Sequence, residues 1–207
     1  MLIFARSKQL ELSSFFKESN IFLTIKLTYK LNAYICKLIL DMKYKIIKLG
    51  SLSGNSASIY ALLDVEKQKT SFEIFLEENK SLFLSELKDI NSRLRTIGHK
   101  TGAREQFFKL DEGFPGDGVC ALYDNPDSNL RLYCIRYGAS LVVLGGGGHK
   151  PKSIRKLQQD PKLKEENYFL RKLSALITTR IKEGEIKYTN EGKDLEGNLE
   201  FNEGDYE

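Results

Sequence analysis

The run over residues 130–151, LRLYCIRYGASLVVLGGGGHKP, constrains the fold more than any other stretch of the chain. Successive side chains of an extended strand point to opposite faces, so Leu130, Leu132 and Cys134 share one side and Arg131, Tyr133, Ile135 and Tyr137 the other. Arg131 and Arg136 therefore face opposite ways. Gly138 supplies a tight turn into a second apolar strand over residues 140–145, and the four glycines at 145–148 are expected to end that strand in a backbone too permissive to continue it. What leaves the hairpin is a basic exit carrying His149, Lys150 and Lys152.

The remainder arranges itself around this hairpin. Residues 44–49 read as a strand, 50–56 as a polar loop and 58–64 as a second strand rich in Ile59, Tyr60, Leu62 and Leu63. Thr70 or Ser71 can cap a helix with Phe72, Phe75 and Leu76 on one stripe. A second helix over residues 80–97 places Phe83, Leu87, Ile90 and Leu94 on one face, with Gly98 positioned to end it. Strands at 104–110, 118–124, 130–137 and 140–145 follow, separated by the turn clusters DEGFPGDG and DNPDSN, which implies an antiparallel meander. Pro151 stops the last strand. Two helices over 152–159 and 161–183 come next, the latter with a stripe of Leu163, Leu170, Leu173, Leu176, Ile177 and Ile181 and with Gly184 at its end.

These elements predict one α+β domain over residues 42–184, a helical hairpin packed on one face of an antiparallel sheet, with C-terminal helices. Residues 1–41 have a different texture and read either as an over-extended translation start, the favoured reading, or as a helical appendage. Residues 185–207 form an acidic tail whose strand-like pieces at 186–189 and 199–201 suggest partial disorder or a partner-dependent hairpin.

A net charge of +4 does not by itself argue for a polyanion partner, but its distribution is uneven, basic over residues 99–156 and acidic in the tail. Cys36, Cys120 and Cys134 show no C-x-x-C spacing and read as buried free thiols in a reducing, cytoplasmic setting. The apolar stretch at 21–40 is interrupted by Lys26, Lys30 and Lys37, which argues against a membrane span. GGGGHKPKS invites a P-loop reading and fails it, because the motif starting at Gly145 requires glycine where Lys150 stands.

Strand, helical hairpin, antiparallel meander and basic final turn together resemble the RelE/ParE superfamily of toxins from type II toxin–antitoxin modules, in the style of HigB and phage Gp49-like members. Three places carry the resemblance: Leu94-Arg95-x-Ile97-Gly98 followed by Gly102-Ala103-Arg104-Glu105, then Leu130-Arg131-Leu132-Tyr133, then residues 141–144 with Lys150-Pro151-Lys152. Four glycines stand where the family usually has an aromatic residue.

That resemblance implies a messenger-RNA endoribonuclease acting at the ribosome, neutralised by a helix-turn-helix antitoxin and needing neither metal nor cofactor. Attack by a 2′-hydroxyl requires a base, a cation against the phosphate and an acid for the leaving oxygen. Arg131, His149 and Lys150 are the candidates for those roles, His149 as acid or base because an ordinary imidazole titrates near pH ~6.5. Arg104, Lys152 and Arg155 are candidate phosphate contacts, and Tyr133 and Tyr137 candidate stacking platforms for bases. A non-catalytic RNA- or protein-binding member of the fold, and a ParE-like toxin directed at gyrase, are the alternatives.

Overall fold

The computed structural model describes residues 43–123, 128–150, 160–202 and 205. The readings of residues 1–41 and of a helix at 152–159, together with Cys36, Lys152 and Arg155, lie outside these residues. Ten strands and two long helices are described: β1 Tyr44–Lys48, β2 Ser58–Asp64, β3 Lys69–Thr70, α1 Ser71–Thr96, β4 Phe108–Lys109, β5 Val119–Leu122, β6 Leu130–Tyr137, β7 Leu141–His149, α2 Pro161–Glu183, β8 Ile186–Thr189, β9 Asp194–Gly197 and β10 Glu200–Phe201.

Eight of the strands form one sheet in the order β10-β1-β2-β7-β6-β5-β4, with β3 added to β2. It is mixed rather than purely antiparallel, because β2 and β7 run parallel, from Ser58 opposite Leu141 to Ala61 opposite Leu144. The reason is the connection. Helix α1 carries the chain back to the end from which β2 started, and the meander β5-β6-β7 then places its third strand in the same direction as β2. A strand flanked on both sides and covered on both faces reads as a nearly continuous apolar run, which β2 does.

Two cores lie on opposite faces of this sheet. On one, Leu130, Leu132, Cys134, Val142 and Leu144 meet Phe72, Phe75, Leu87, Ile90 and Leu94 of α1. On the other, Tyr133, Ile135, Leu141 and Val143 meet Leu163, Leu170, Leu173 and Ile177 of α2. The alternation along β6 thus matches its sequence residue for residue. Cys120 and Cys134 sit opposite each other in β5 and β6 as buried free thiols, their sulfurs 3.5 Å apart.

Helix α1 begins where its sequence indicates. Thr70 Oγ1 accepts from the Glu73 amide at 3.1 Å while the Glu73 carboxylate accepts from the Thr70 amide at 2.7 Å, a closed capping box. The hairpin expected between residues 71 and 97 is instead one helical element broken at a single residue, Phe83, with φ −128° and ψ 33°. The helix does not end at Gly98 either; it widens into a π turn over Ile97–Thr101 and stops at Gly102, whose φ is +73°. Gly98 has a different task, since a Cβ there would run into the Leu52 carbonyl. Helix α2 is capped by Asp160, whose carboxylate accepts from the Leu163 amide at 2.9 Å, and ends on Gly184 with φ +79°.

Three further expectations change. The first meander strand shrinks to Phe108–Lys109 between two short 3-10 turns. The acidic tail forms the β8-β9 hairpin, and its last strand pairs with β1. Its charges are matched within the domain: the Asp194 carboxylate accepts from Lys48 Nζ at 2.5 Å, Ser58 Oγ at 2.9 Å and Asn190 Nδ2 at 3.0 Å. The Lys48 contact, with these hydroxyl and amide donors, pulls that carboxyl down to about 2. Ile186, Leu195 and Phe201 turn inward to the α2-side core.

The third change concerns the glycines, which do not end β7. The strand continues through Gly145–Gly148 to His149, paired with β6 on both sides of one irregularity. Between the Cys134–Leu144 and Leu132–Gly147 pairs, β7 has one residue more than β6, a bulge that sets Gly145 and Gly146 against Tyr133. Both lie under α2: a Cβ on Gly145 would meet Leu170, and one on Gly146 the Glu166 carboxylate. Glycine is present for close approach, not for termination.

Candidate functional site

The parallel strands part at their carboxyl ends. Beyond Ala61 and Leu144, β2 continues between β1 and β3 while, among the described residues, β7 continues with β6 alone. A crevice at the carboxyl end of parallel strands is where open sheets with helices on both faces hold ligands. Here the glycine segment of β7 lies at that parting. Glu166 of α2 lies over Gly146, Lys162 of α2 passes over Gly148 with its Cδ 3.6 Å from where a Cβ would stand, and the His149 ring stacks on Phe83 of α1 at 5.1 Å. Lys162 Nζ reaches Glu78 of α1 at 2.5 Å. That ion pair joins helices from opposite faces, which is possible only where the sheet has opened.

Glu166 is the perturbed group beside these glycines. Burial pushes its carboxyl up to about 7; Lys162 and Lys67 act against the shift, while the neighbouring Glu78 and Glu165 carboxylates add to it. A carboxyl whose pKa is higher folded than unfolded costs stability only where it must ionise. The cost is therefore absent below about pH 4.5, appears as pH rises toward 7 and is complete above it. Glu166→Gln should raise stability by roughly 2 kcal/mol at pH 8 and leave it nearly unchanged at pH 4. Urea unfolding of both proteins at the two pH values checks this; an equal difference at both would show that ionisation is not what the variant relieves.

The exit of β7 is held from the other side by Glu86 of α1. Its carboxylate accepts from Ser128 Oγ at 2.9 Å, from Asn129 Nδ2 at 2.8 Å and from the Asn129 and Leu130 amides at 2.9 and 3.1 Å. Burial alone would raise this carboxyl, but those donors outweigh it and hold it below the usual range. The Lys150 amide in turn donates to the Asn129 carbonyl at 2.6 Å. Exposed His149 and half-buried Lys150 thus sit at a fixed strand end rather than on a free loop.

The other residues named from the sequence lie elsewhere. Arg131 is on the α2 face, 5% exposed, and ion-paired to Glu112. His149 is paired with Leu130 and turns toward α1, so the sheet itself separates it from the Arg131 guanidinium. Tyr133 is completely buried, leaving no ring face for a base; burial, reinforced by Glu112 and opposed by Arg131, pushes its phenol up. Tyr137 packs edge-on to Tyr188 at 6.3 Å near the β6-β7 turn. Arg104 is exposed beside the same turn, its Nε donating to the Thr101 carbonyl at 3.0 Å and the preceding residue bonded to Ala139. The nine residues of β7 separate that turn from His149, roughly 26 Å at strand rise.

Of the described residues expected to converge, His149 and Lys150 share the exit of β7, whereas Arg131 and Tyr133 lie together on the α2 face. Glu166, Lys162, Glu78 and Phe83 were not selected from sequence, and nothing local marks them: Glu166 sits in an ordinary charged stretch of an amphipathic helix. The four glycines were the available signal, since a strand without side chains invites a neighbour to pack on it. Among the described residues no cluster of histidine, cysteine and acidic side chains has the arrangement of a metal site, and no helix is long and apolar enough to cross a membrane. Comparison with protein families, with curated proteins and with solved structures finds no match for this chain.

Proposed function

We propose that this chain is the toxin of a toxin–antitoxin pair, an endoribonuclease that cuts messenger RNA at the ribosome without a metal and that a helix-turn-helix antitoxin neutralises. The observation that carries the reading is the exit of β7: an exposed imidazole, His149, braced on Phe83 and followed by Lys150 at the same strand end. An imidazole is a group suited to general acid–base work, and a lysine at the same strand end can oppose phosphate charge. The order of elements also supports the resemblance: strand, interrupted helix, meander with a basic exit, then helix. In this reading Arg131 holds the fold, and His149 and Lys150 act on RNA.

Induction in cells lacking the antitoxin, followed by mapping of messenger-RNA ends, tests it. Wild type should arrest growth and generate new ends. His149→Ala should reduce cleavage by at least 100-fold, the scale of a lost acid or base, and Lys150→Ala should act in the same direction. Arrest without new ends would point instead to a gyrase-directed toxin, and the absence of arrest to a non-catalytic binding role.

A further inference from the structure

A second surface, on the α2 side, is built around the loop between β4 and β5. Helix α2 holds this loop by its carbonyls: Asn167 Nδ2 and Arg171 Nη2 each donate to the Glu112 oxygen at 2.8 Å, and Ser174 Oγ donates to the Asp117 oxygen. The Asp117 carboxylate closes the loop on itself, accepting from the Phe114 amide at 2.7 Å and the Val119 amide at 2.8 Å. The outcome of this bracing is unusual for an aromatic side chain. Phe114 is displayed to solvent, 63% exposed.

What stands beside it explains the display. The Arg171 guanidinium lies 4.3 Å from the Phe114 ring centre and 5.3 Å from that of Tyr168, itself 42% exposed. Lys164 Nζ lies 5.8 Å from the Tyr168 ring, completing a ladder of ring, cation, ring and cation. From Phe114 a groove of about 400 Å³ runs past Pro115 and Gly116 to Arg136. Of the three acids in the loop, Glu112 is engaged by Arg131 and Asp117 by backbone amides, and exposed Asp111 lines the groove; half-buried Arg171 and exposed Lys164 stand beside the rings.

Flat faces interleaved with cations fit a chain of unpaired bases linked by phosphates better than a peptide, which offers no repeating anion. We infer that this ladder is a docking platform for single-stranded RNA, stacking bases on Phe114 and Tyr168 and placing phosphates against Arg171 and Lys164. The inference rests on the RNA reading of this chain but not on cleavage. It also supplies what buried Tyr133 cannot, an aromatic surface that RNA can reach.

The test uses the full chain and a fluorescent single-stranded RNA of about a dozen nucleotides with 2′-O-methyl riboses, which binds but offers no 2′-hydroxyl for attack. Anisotropy titrations should show Phe114→Ala and Tyr168→Ala each weakening binding about tenfold, the scale of one lost base stack, with Phe114→Tyr retaining it. Leu82→Ala, at an 81% exposed position on α1, should bind as wild type does. Circular dichroism confirms that each variant is folded. Binding by wild type that the ladder variants leave within twofold would overturn the platform and leave the RNA reading standing. Ladder-dependent binding without cleavage of ordinary RNA would uphold the platform and sink the ribonuclease. No binding by wild type would end both, and variants that bind RNA normally but lose their antitoxin complex would reassign the surface to protein.

Discussion

Arg131→Ala should destabilise the domain by about 3–5 kcal/mol, because it leaves the Glu112 carboxylate buried without its counter-charge. Glu112 is only 12% exposed, and its carbonyl anchors both Asn167 and Arg171 of α2. A carboxylate that must hydrate pulls this loop outward and takes two helix contacts with it. Urea unfolding at pH 7 measures the loss. The paired replacement Arg131→Met with Glu112→Leu should recover most of it, since apolar side chains of similar size remove both charges together. An alanine variant with an unchanged midpoint but no ribonuclease activity would return Arg131 to the chemistry. In the ion-paired arrangement, loss of activity in Arg131→Ala follows from loss of fold, so activity alone is a misleading assay for this residue.

The second large effect is expected at Gly147. Its absent side chain leaves room for the Arg131 carbonyl of β6, and a Cβ there would collide with backbone rather than with the movable end of a side chain. Gly147→Ala should therefore force β6 and β7 apart where the register has just been reset by the bulge, at a cost of about 3 kcal/mol or more. Gly148 provides the internal control. The nearest atoms to a Cβ at that position are Lys162 Cδ at 3.6 Å and Leu163 Cδ2 at 3.7 Å, ordinary contacts. Gly148→Ala should be neutral or stabilising by up to about 1 kcal/mol through reduced freedom of the unfolded chain. Thermal unfolding of the two variants side by side is the measurement, and equal melting temperatures would refute the close-approach account of these glycines.

Both predictions concern features whose sequence signal was visible but whose meaning was not. Four consecutive glycines mark a special backbone, and two physical explanations fit that mark equally well: freedom to turn, or room for a neighbour. The second applies here because Leu170 and Glu166, some twenty residues later, come to rest on the strand. An arginine within an apolar strand likewise announces that it needs a partner, without saying whether that partner is a phosphate or a carboxylate from a loop 19 residues earlier.

The sequence by itself determined whatever depends on a few neighbouring residues. The two-sided alternation of β6, the Gly138 turn, a helix cap at Thr70 or Ser71, the span of α2 and its glycine stop were all readable, because backbone geometry and capping act within one turn or one strand repeat. Tertiary structure alone decided which surfaces meet. It set β2 parallel to β7, placed α1 on one face of the sheet and α2 on the other, and folded the acidic tail back onto β1 through charges matched across more than a hundred residues. It likewise divided the expected site, leaving His149 and Lys150 at an open strand end and enclosing Arg131 and Tyr133 beneath α2. The physical reason is the same in each case. Local preferences fix the direction of a side chain, but its burial and partner are fixed by the free energy of packing elements that are distant in the chain.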